Sequence, residues 1–157
     1  MVIHVLAVGR VRQAVLREAC DDYLARARRY FRLEVREVPD SSRGGRTGAE
    51  ALEREGGALL RALPDGVPPV ALTRAGREET SVQFARRLGE WQRLGRDVAL
   101  VLGGAGGLSP AVMERCSLKL RLSALTLPHE LARVVLLEQI YRAGTILKGE
   151  PYHKGAP

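Results

Sequence analysis

Asp97-Val-Ala-Leu-Val-Leu-Gly-Gly-Ala-Gly-Gly-Leu-Ser-Pro110 carries the strongest strand signal in the chain and its most unusual turn. Residues 98–102 run without a polar interruption and consist of valine, leucine and alanine, the pattern of a strand covered on both faces. Four glycines in five positions follow at once: Gly103, Gly104, Gly106 and Gly107. A connecting turn needs fewer, so the run points to a backbone that closely approaches a ligand. Pro110 then opens a short helix over 110–115.

Working outward, Val2–Val8 is a β-branched run closed by Gly9 and reads as a second buried strand. Val15, Leu16, Ala19, Cys20, Tyr23, Leu24 and Ala27 recur at helical spacing, which predicts a helix over 13–29. Alternation at Leu33, Val35 and Val38 predicts a strand over 33–38. Asp40-Ser-Ser-Arg-Gly-Gly-Arg-Thr-Gly48 has no large apolar residue and reads as a mobile basic loop. A helix over 49–63, a short strand over 70–73 and a turn at Arg74-Ala-Gly76 come next. Ser81 is the expected N-cap of a helix reaching 94, with Phe84, Leu88 and Trp91 on its buried face. A minor strand over 117–121 and the segment Leu122-Ser-Ala-Leu-Thr-Leu127 lead to Pro128, the expected first residue of a last helix ending near 147. Strands alternating with helices predict an α/β fold with a mostly parallel sheet flanked by helices. Ligands of such sheets bind at the carboxyl ends of the strands, here the loops after Leu72 and Leu102.

The last helix is apolar over more than one stripe: Leu131, Val134, Val135, Leu136, Leu137, Ile140, Tyr141, Gly144 and Leu147. Such a helix is buried on two sides. One side meets the sheet; the other meets either a second chain or the interior of a monomer.

Composition narrows the classes. The 157 residues are 45% hydrophobic, enough for a globular core, and make one domain or two lobes sharing a core. Lys and Arg number 25 against 18 Asp and Glu, a net charge of +7, which favours polyanionic partners with nucleic acid first. Cys20 and Cys116 stand apart and outside any C-x-x-C pair, so disulfides and a zinc site are not expected. The apolar opening lacks a basic leading region and a cleavage site and is too short to span a bilayer, so a cytoplasmic protein with no membrane partner is expected.

Familiar catalytic patterns fail. In Gly104-Ala-Gly106 the third glycine of a dinucleotide fingerprint falls on Ser109, and no Gly-Lys-Ser/Thr makes a phosphate loop. There is no G-x-S-x-G, no thiolate context for either cysteine and no histidine pair at metal spacing, so no metal is expected. His4 reads as a packed strand histidine. His129, in the first turn of the last helix, is either a half-buried terminal residue or a functional one. Tyr152-His-Lys154 is either a segment left outside the fold or a catalytic arm. Glu138 and Arg142 stand at i, i+4 and read first as a surface ion pair; an Arg142 near an interface would instead hold an anion or a planar polar group. The Arg26, Arg28, Arg29 and Arg32 cluster reads as a solvated face.

Leu100-Val-Leu-Gly-Gly-Ala-Gly-Gly-Leu-Ser-Pro110, Leu122-Ser-Ala-Leu-Thr-Leu-Pro-His129, Glu138-Gln-Ile-Tyr-Arg142 and Pro151-Tyr-His153, in this order and spacing, resemble the ribosomal RNA large subunit methyltransferase H family. The resemblance extends over nearly the whole chain. It implies one SPOUT methyltransferase domain over 1–157, a C-terminal trefoil knot that unaided topology rules would not choose, and a homodimer. It also implies methylation of N3 of a pseudouridine in 23S ribosomal RNA, on the assembled 70S ribosome, with S-adenosylmethionine as donor and no role for DNA. Carried over, the cofactor pocket falls on Leu72, Gly103, Leu122, Ser123, Ala124, Leu125, Thr126 and Leu127, and the active site on Arg142, Tyr152 and His153. Arg43, Arg46, His129 and Lys154, with Lys148, are the candidate RNA contacts; aromatic residues, at 4%, are too few for a stacking platform. Two departures stand out: Ala105-Gly106 where the family carries Pro-Glu, and Lys154 where it carries arginine. A SPOUT enzyme acting on transfer RNA and a non-catalytic ribosome-binding protein are the competing readings.

Overall fold

The computed structural model describes residues 1–42 and 48–154. In chain order it forms β1 (Val2–Val8), α1 (Ala14–Ala27), β2 (Arg32–Val38), α2 (Gly48–Ala62), β3 (Pro69–Glu78), α3 (Ser81–Arg93), β4 (Val98–Leu102), α4 (Pro110–Arg115), β5 (Leu118–Arg121) and α5 (His129–Leu147). The strands lie in the order β2-β1-β4-β3-β5 and all pair in parallel. The uninterrupted apolar β4 therefore sits at the centre, where no side of a strand faces water, and all five of its residues are buried.

Alternation along the strands sorts the core into two layers. Ile3, Val5 and Ala7 of β1, with Leu100 and Leu102 of β4, pack against Phe84, Ala85 and Leu88 of α3 and Leu136, Ile140 and Ala143 of α5. Leu6 and Val8, with Ala99 and Val101, pack on the other face against Leu59 of α2 and Val112 of α4. Cys20 and Cys116 are both buried and unpaired, and burial pushes both thiols upward, so they are unreactive core residues. His4 is buried in β1 beside Glu34, as a packed strand histidine should be.

Three local expectations change. Arg74-Ala-Gly76 is strand, not turn: β3 runs on to Glu78, past the end of β4, and pairs with β5 again after an irregularity between Leu72 and Arg77. Turn-forming composition loses there to cross-strand pairing, and Gly76 permits it, because a Cβ at that position would stand 2.6 Å from the Leu120 carbonyl oxygen. The N-cap of α3 is Thr80 rather than Ser81. Thr80 has Gln83 three residues on: the Gln83 N–H donates to Thr80 Oγ1 at 3.2 Å and the Thr80 N–H to Gln83 Oε1 at 2.8 Å, a closed capping box. Ser81 instead donates its hydroxyl to Gln139 of α5. Pro128 stands at the N-cap position of α5, one residue before the helix, with its carbonyl accepting from Ala132 N–H at 2.8 Å.

α5 lies between α1 and α3 and runs against the strand direction. Its first turn is at the carboxyl edge of the sheet. Its last turns reach Tyr30, which precedes β2 and packs on Gly144 at the opposite edge. The inner face is fully buried, but Leu131, Val135, Glu138 and Arg142 form an outer stripe that remains half exposed. The outer side is thus apolar at Leu131 and Val135 and charged at Glu138 and Arg142, where the tail packs on it. Among the described residues no helix is long and apolar enough to cross a membrane, and no cluster of side chains could hold a metal ion.

Candidate functional site

A cleft of about 630 Å³ opens at the carboxyl edge of β3, β4 and β5. Leu72 and Leu102, the last pair between β3 and β4, form its floor, and the two loops that follow β4 and β5 form its walls. The glycine loop folds back on itself: Gly107 N–H donates to the Gly104 carbonyl at 3.0 Å, and Gly107 takes φ +81°, where glycine is the easy residue. Gly103 is more tightly constrained. A Cβ there would overlap the Gly107 carbonyl and stand 2.9 Å from its Cα, so the loop closes only over a bare backbone. The opposite wall is a short irregular segment that bends at Ala124 and Leu125, where Ser123 Oγ accepts from Leu125 N–H at 2.9 Å. Leu125 is 78% exposed, an apolar side chain presented to the cleft mouth.

Of the residues expected to form the cofactor pocket, Leu72, Gly103, Leu122, Ser123, Leu125, Thr126 and Leu127 line this cleft. Ala124 is exposed and does not. His129, expected as an RNA contact, also lines it. Arg74 and Arg121, which sequence reasoning passed over, stand on its rim: Arg74 because β3 continues, and Arg121 because β5 ends there. Arg121 pairs with Glu78 at 2.8 Å, while its Nε is buried without a partner.

The tail residues gather elsewhere. After α5 the chain turns back. Glu150 N–H donates to the Thr145 carbonyl at 2.9 Å, and the Tyr30 hydroxyl donates to the Glu150 carboxylate, which pushes the Tyr30 phenol to about 12. Tyr152 then lies between Tyr141, with ring centroids 4.6 Å apart, and the Arg142 guanidinium, 4.7 Å above its ring. Its hydroxyl donates to Glu138 Oε1 at 3.0 Å. Burial first, then the contacts with Tyr23 and Glu138, hold this phenol far above its ordinary range, so it is a neutral donor at physiological pH. The tail is thus a packed arm, not a segment outside the fold.

Glu138 is the hub that the i, i+4 spacing did not reveal. Its carboxylate accepts from Arg142 Nε at 2.9 Å and Nη2 at 2.5 Å, from the Tyr152 hydroxyl, and from Gln139 Nε2 at 2.7 Å. The expected ion pair is present, but it also fixes the guanidinium plane beneath the tail. His153 completes the group, with Nδ1 3.4 Å from Arg142 Nη1. A guanidinium can only donate, so this contact suits the tautomer with its lone pair on Nδ1, and Nε2 is buried with no hydrogen-bond partner among the described residues. Lys148 and Lys154 are exposed beside this group, and Arg43 and Arg46 lie outside the described residues.

Cleft and tail group stand at opposite ends of α5. His129 and Arg142 are thirteen residues apart on one helix, which at ~1.5 Å per residue is about 20 Å. Within one chain the expected cofactor pocket and the expected active-site residues do not meet.

A parallel sheet with a glycine-loop cleft at its carboxyl edge, closed by a leucine-rich segment and a C-terminal helix, defines a class. This chain belongs to the SPOUT methyltransferase family, whose model, described as "Predicted SPOUT methyltransferase", matches residues 1–153. It is 49% identical over 154 residues to the ribosomal RNA large subunit methyltransferase H of Anaeromyxobacter sp. (strain Fw109-5), covering 98% of this chain and all of that one. The protein of the same name from Gemmatimonas aurantiaca (strain DSM 14586 / JCM 11422 / NBRC 100505 / T-27) is 46% identical over 154 residues, 98% of this chain and all of its own length. Among solved structures, a probable methylase family protein from Haemophilus influenzae Rd KW20 superposes with a TM-score of 0.55 at 14% identity, over 99% of this chain and 71% of that one, a likeness of fold.

The cofactor of this family is S-adenosylmethionine, and the cleft fits it. Its volume is that of a site for a molecule of this size, and its floor and one wall are rich in leucine, an apolar surface for an adenine ring.

Proposed function

We propose that this protein methylates N3 of a pseudouridine in large-subunit ribosomal RNA on the assembled 70S ribosome, working in the cytoplasm as a homodimer with a composite site. The family's SPOUT knot and a single domain over 1–157 go with this reading. The observation that carries it is the separation along α5. A cleft able to hold the methyl donor and a group able to handle a base lie about 20 Å apart on one helix, joined by a half-exposed stripe. Two copies packed antiparallel along that stripe about a two-fold axis bring the His129 end of one chain to the Arg142 end of its partner.

When bound, the donor supplies a methyl group on a sulfonium, which leaves without a protein nucleophile; that accounts for the missing triad. The chain's own task is to place the target nitrogen in line and to remove its imino proton. His153 takes that proton on Nδ1, the atom whose lone pair now faces Arg142. Arg142, held by Glu138, polarises a carbonyl of the base, and Tyr152, packed on Tyr141 and Arg142, frames the ring. The phosphate backbone is met by Arg43, Arg46, Lys148 and Lys154, in keeping with the net charge of +7. With Leu122–Leu127 and Gly103 on the donor, His129 stands where donor and base meet.

The test is transfer of labelled methyl to 70S ribosomes, separated subunits, free ribosomal RNA and transfer RNA, all from cells lacking the modification. Label on large-subunit RNA, in assembled ribosomes alone and at a pseudouridine, is the expected result. Label on transfer RNA would move the substrate, and no label on any acceptor would leave a binding protein.

A further inference from the structure

The glycine loop is held from behind by α2, and one of the three side-chain positions involved is a buried carboxyl. Leu52, Glu55 and Gly56 share one face of α2 by helical spacing. Leu52 lies 3.7 Å from where a Cβ on Gly106 would stand, and Glu55 Oε2 lies 3.4 Å from the same point on Gly104. Gly56 seats Ser109, the N-cap of α4, whose Cβ would be 2.7 Å from a Cβ on Gly56. The helix therefore backs both ends of the loop and its middle.

Glu55 is only 4% exposed, and packing alone would favour leucine or methionine at such a position. Its polar contacts explain the choice. Oε1 accepts the Ser41 N–H at 2.9 Å, at the start of the β2–α2 connection, while Oε2 faces the glycine loop. One carboxyl thus spans the β2–α2 connection and the glycine loop, and the loop lines the cleft.

We infer that Glu55 is a positioning residue for the methyl-donor cleft, holding the exit of β2 and the glycine loop in a single geometry. The inference rests on the reading of the cleft as the donor site. Glu55 touches neither donor nor RNA; it acts through Gly104 and Ser41. Among the described residues, the titratable group that faces it is Asp40, on the β2–α2 connection; β1 contributes Val8, and the β4–α4 loop contributes Gly104, neither of which titrates. Burial, and then Asp40, push the Glu55 carboxyl upward, against the lowering effect of the Ser41 and Ser42 N–H groups. The fold therefore favours the protonated form more than water does. Its contribution is complete below the ordinary glutamate range and is lost as pH rises through the raised value, when a second negative charge appears beside Asp40.

The experiment is isothermal titration of S-adenosylmethionine into the full-length protein between pH 5 and pH 8, for wild type, Glu55→Gln and Glu55→Leu. Wild type should bind progressively more weakly as pH rises. Glu55→Gln, which keeps an acceptor for Ser41 and carries no charge, should hold the low-pH affinity throughout. Glu55→Leu should bind about tenfold more weakly at every pH, with the same circular dichroism. A leucine variant that is folded and binds like wild type overturns the inference, as does a pH profile shared by wild type and Glu55→Gln. If Glu55→Leu does not fold, the comparison of wild type with Glu55→Gln still decides. Wild type binding no donor at any pH would overturn the donor-site reading first, and this inference with it.

Discussion

Replacing Gly103 by alanine abolishes donor binding while leaving the fold intact: the expected loss of affinity for S-adenosylmethionine is at least about 100-fold, or roughly 2.7 kcal/mol. The added methyl would overlap the Gly107 carbonyl, so the loop must open and give up the 3.0 Å hydrogen bond between Gly107 and Gly104. It has no easy route by which to relax. Ser109 is fixed as the N-cap of α4 and packed on Gly56, and the loop begins directly from the buried end of β4. The core, meanwhile, is untouched, because Gly103 lies outside both apolar layers. Titration calorimetry reads the affinity, and circular dichroism reads the fold. Gly106→Ala is the control: a Cβ there meets only Leu52, at an ordinary 3.7 Å, and binding should change little. Equal losses in the two variants would remove the geometric argument.

Replacing His153 by alanine should lower kcat by about 10²- to 10⁴-fold, the range for loss of a general base, with donor affinity nearly unchanged. Donor affinity is spared because His153 is assigned to the base and its imino proton, while the cleft that takes the donor is lined by Gly103 and Leu122–Leu127. The arm itself should survive the change. Tyr152 remains held by Glu138, Tyr141 and Arg142, and Glu150 remains held by Tyr30. Turnover on 70S ribosomes at saturating donor separates the two effects. A fall in donor affinity with kcat preserved would assign His153 to binding instead.

How much of this was legible beforehand follows from the range over which each feature is decided. The apolar runs of β1 and β4 announce buried parallel strands, because burial on both faces leaves a mark on consecutive residues. The glycine run after β4 and the leucines of 122–127 mark the two walls of the cleft, and seven of the eight expected pocket residues line it. The continuation of β3 was hidden. Arg74-Ala-Gly76 has the composition of a turn, and only the pairing of Arg77 and Glu78 with β5 more than 40 residues later makes it strand. The capping box at Thr80 was readable from Gln83 three residues on, and the serine beside it drew attention away. Glu138 as the hub of the tail group was beyond local reading. The i, i+4 pair with Arg142 is visible, whereas the Tyr152 hydroxyl arrives only because the chain reverses after α5. The outer stripe of α5 was legible as excess apolar character, and the fold shows which side of the helix its own chain leaves uncovered.

A working site joins the cleft of one chain to the arm of another, and mixing two inactive variants puts this to the test. Gly103→Ala lacks a working cleft and His153→Ala lacks a working arm, so each homodimer should be nearly inactive. Dissociated, mixed in equal amounts and reassociated, half of the dimers carry one chain of each kind, and each of these has one intact cleft facing one intact arm. Methyl transfer to 70S ribosomes should return to about one quarter of the wild-type rate. Mixed dimers verified by native mass spectrometry that regain no activity would contradict a site shared between chains.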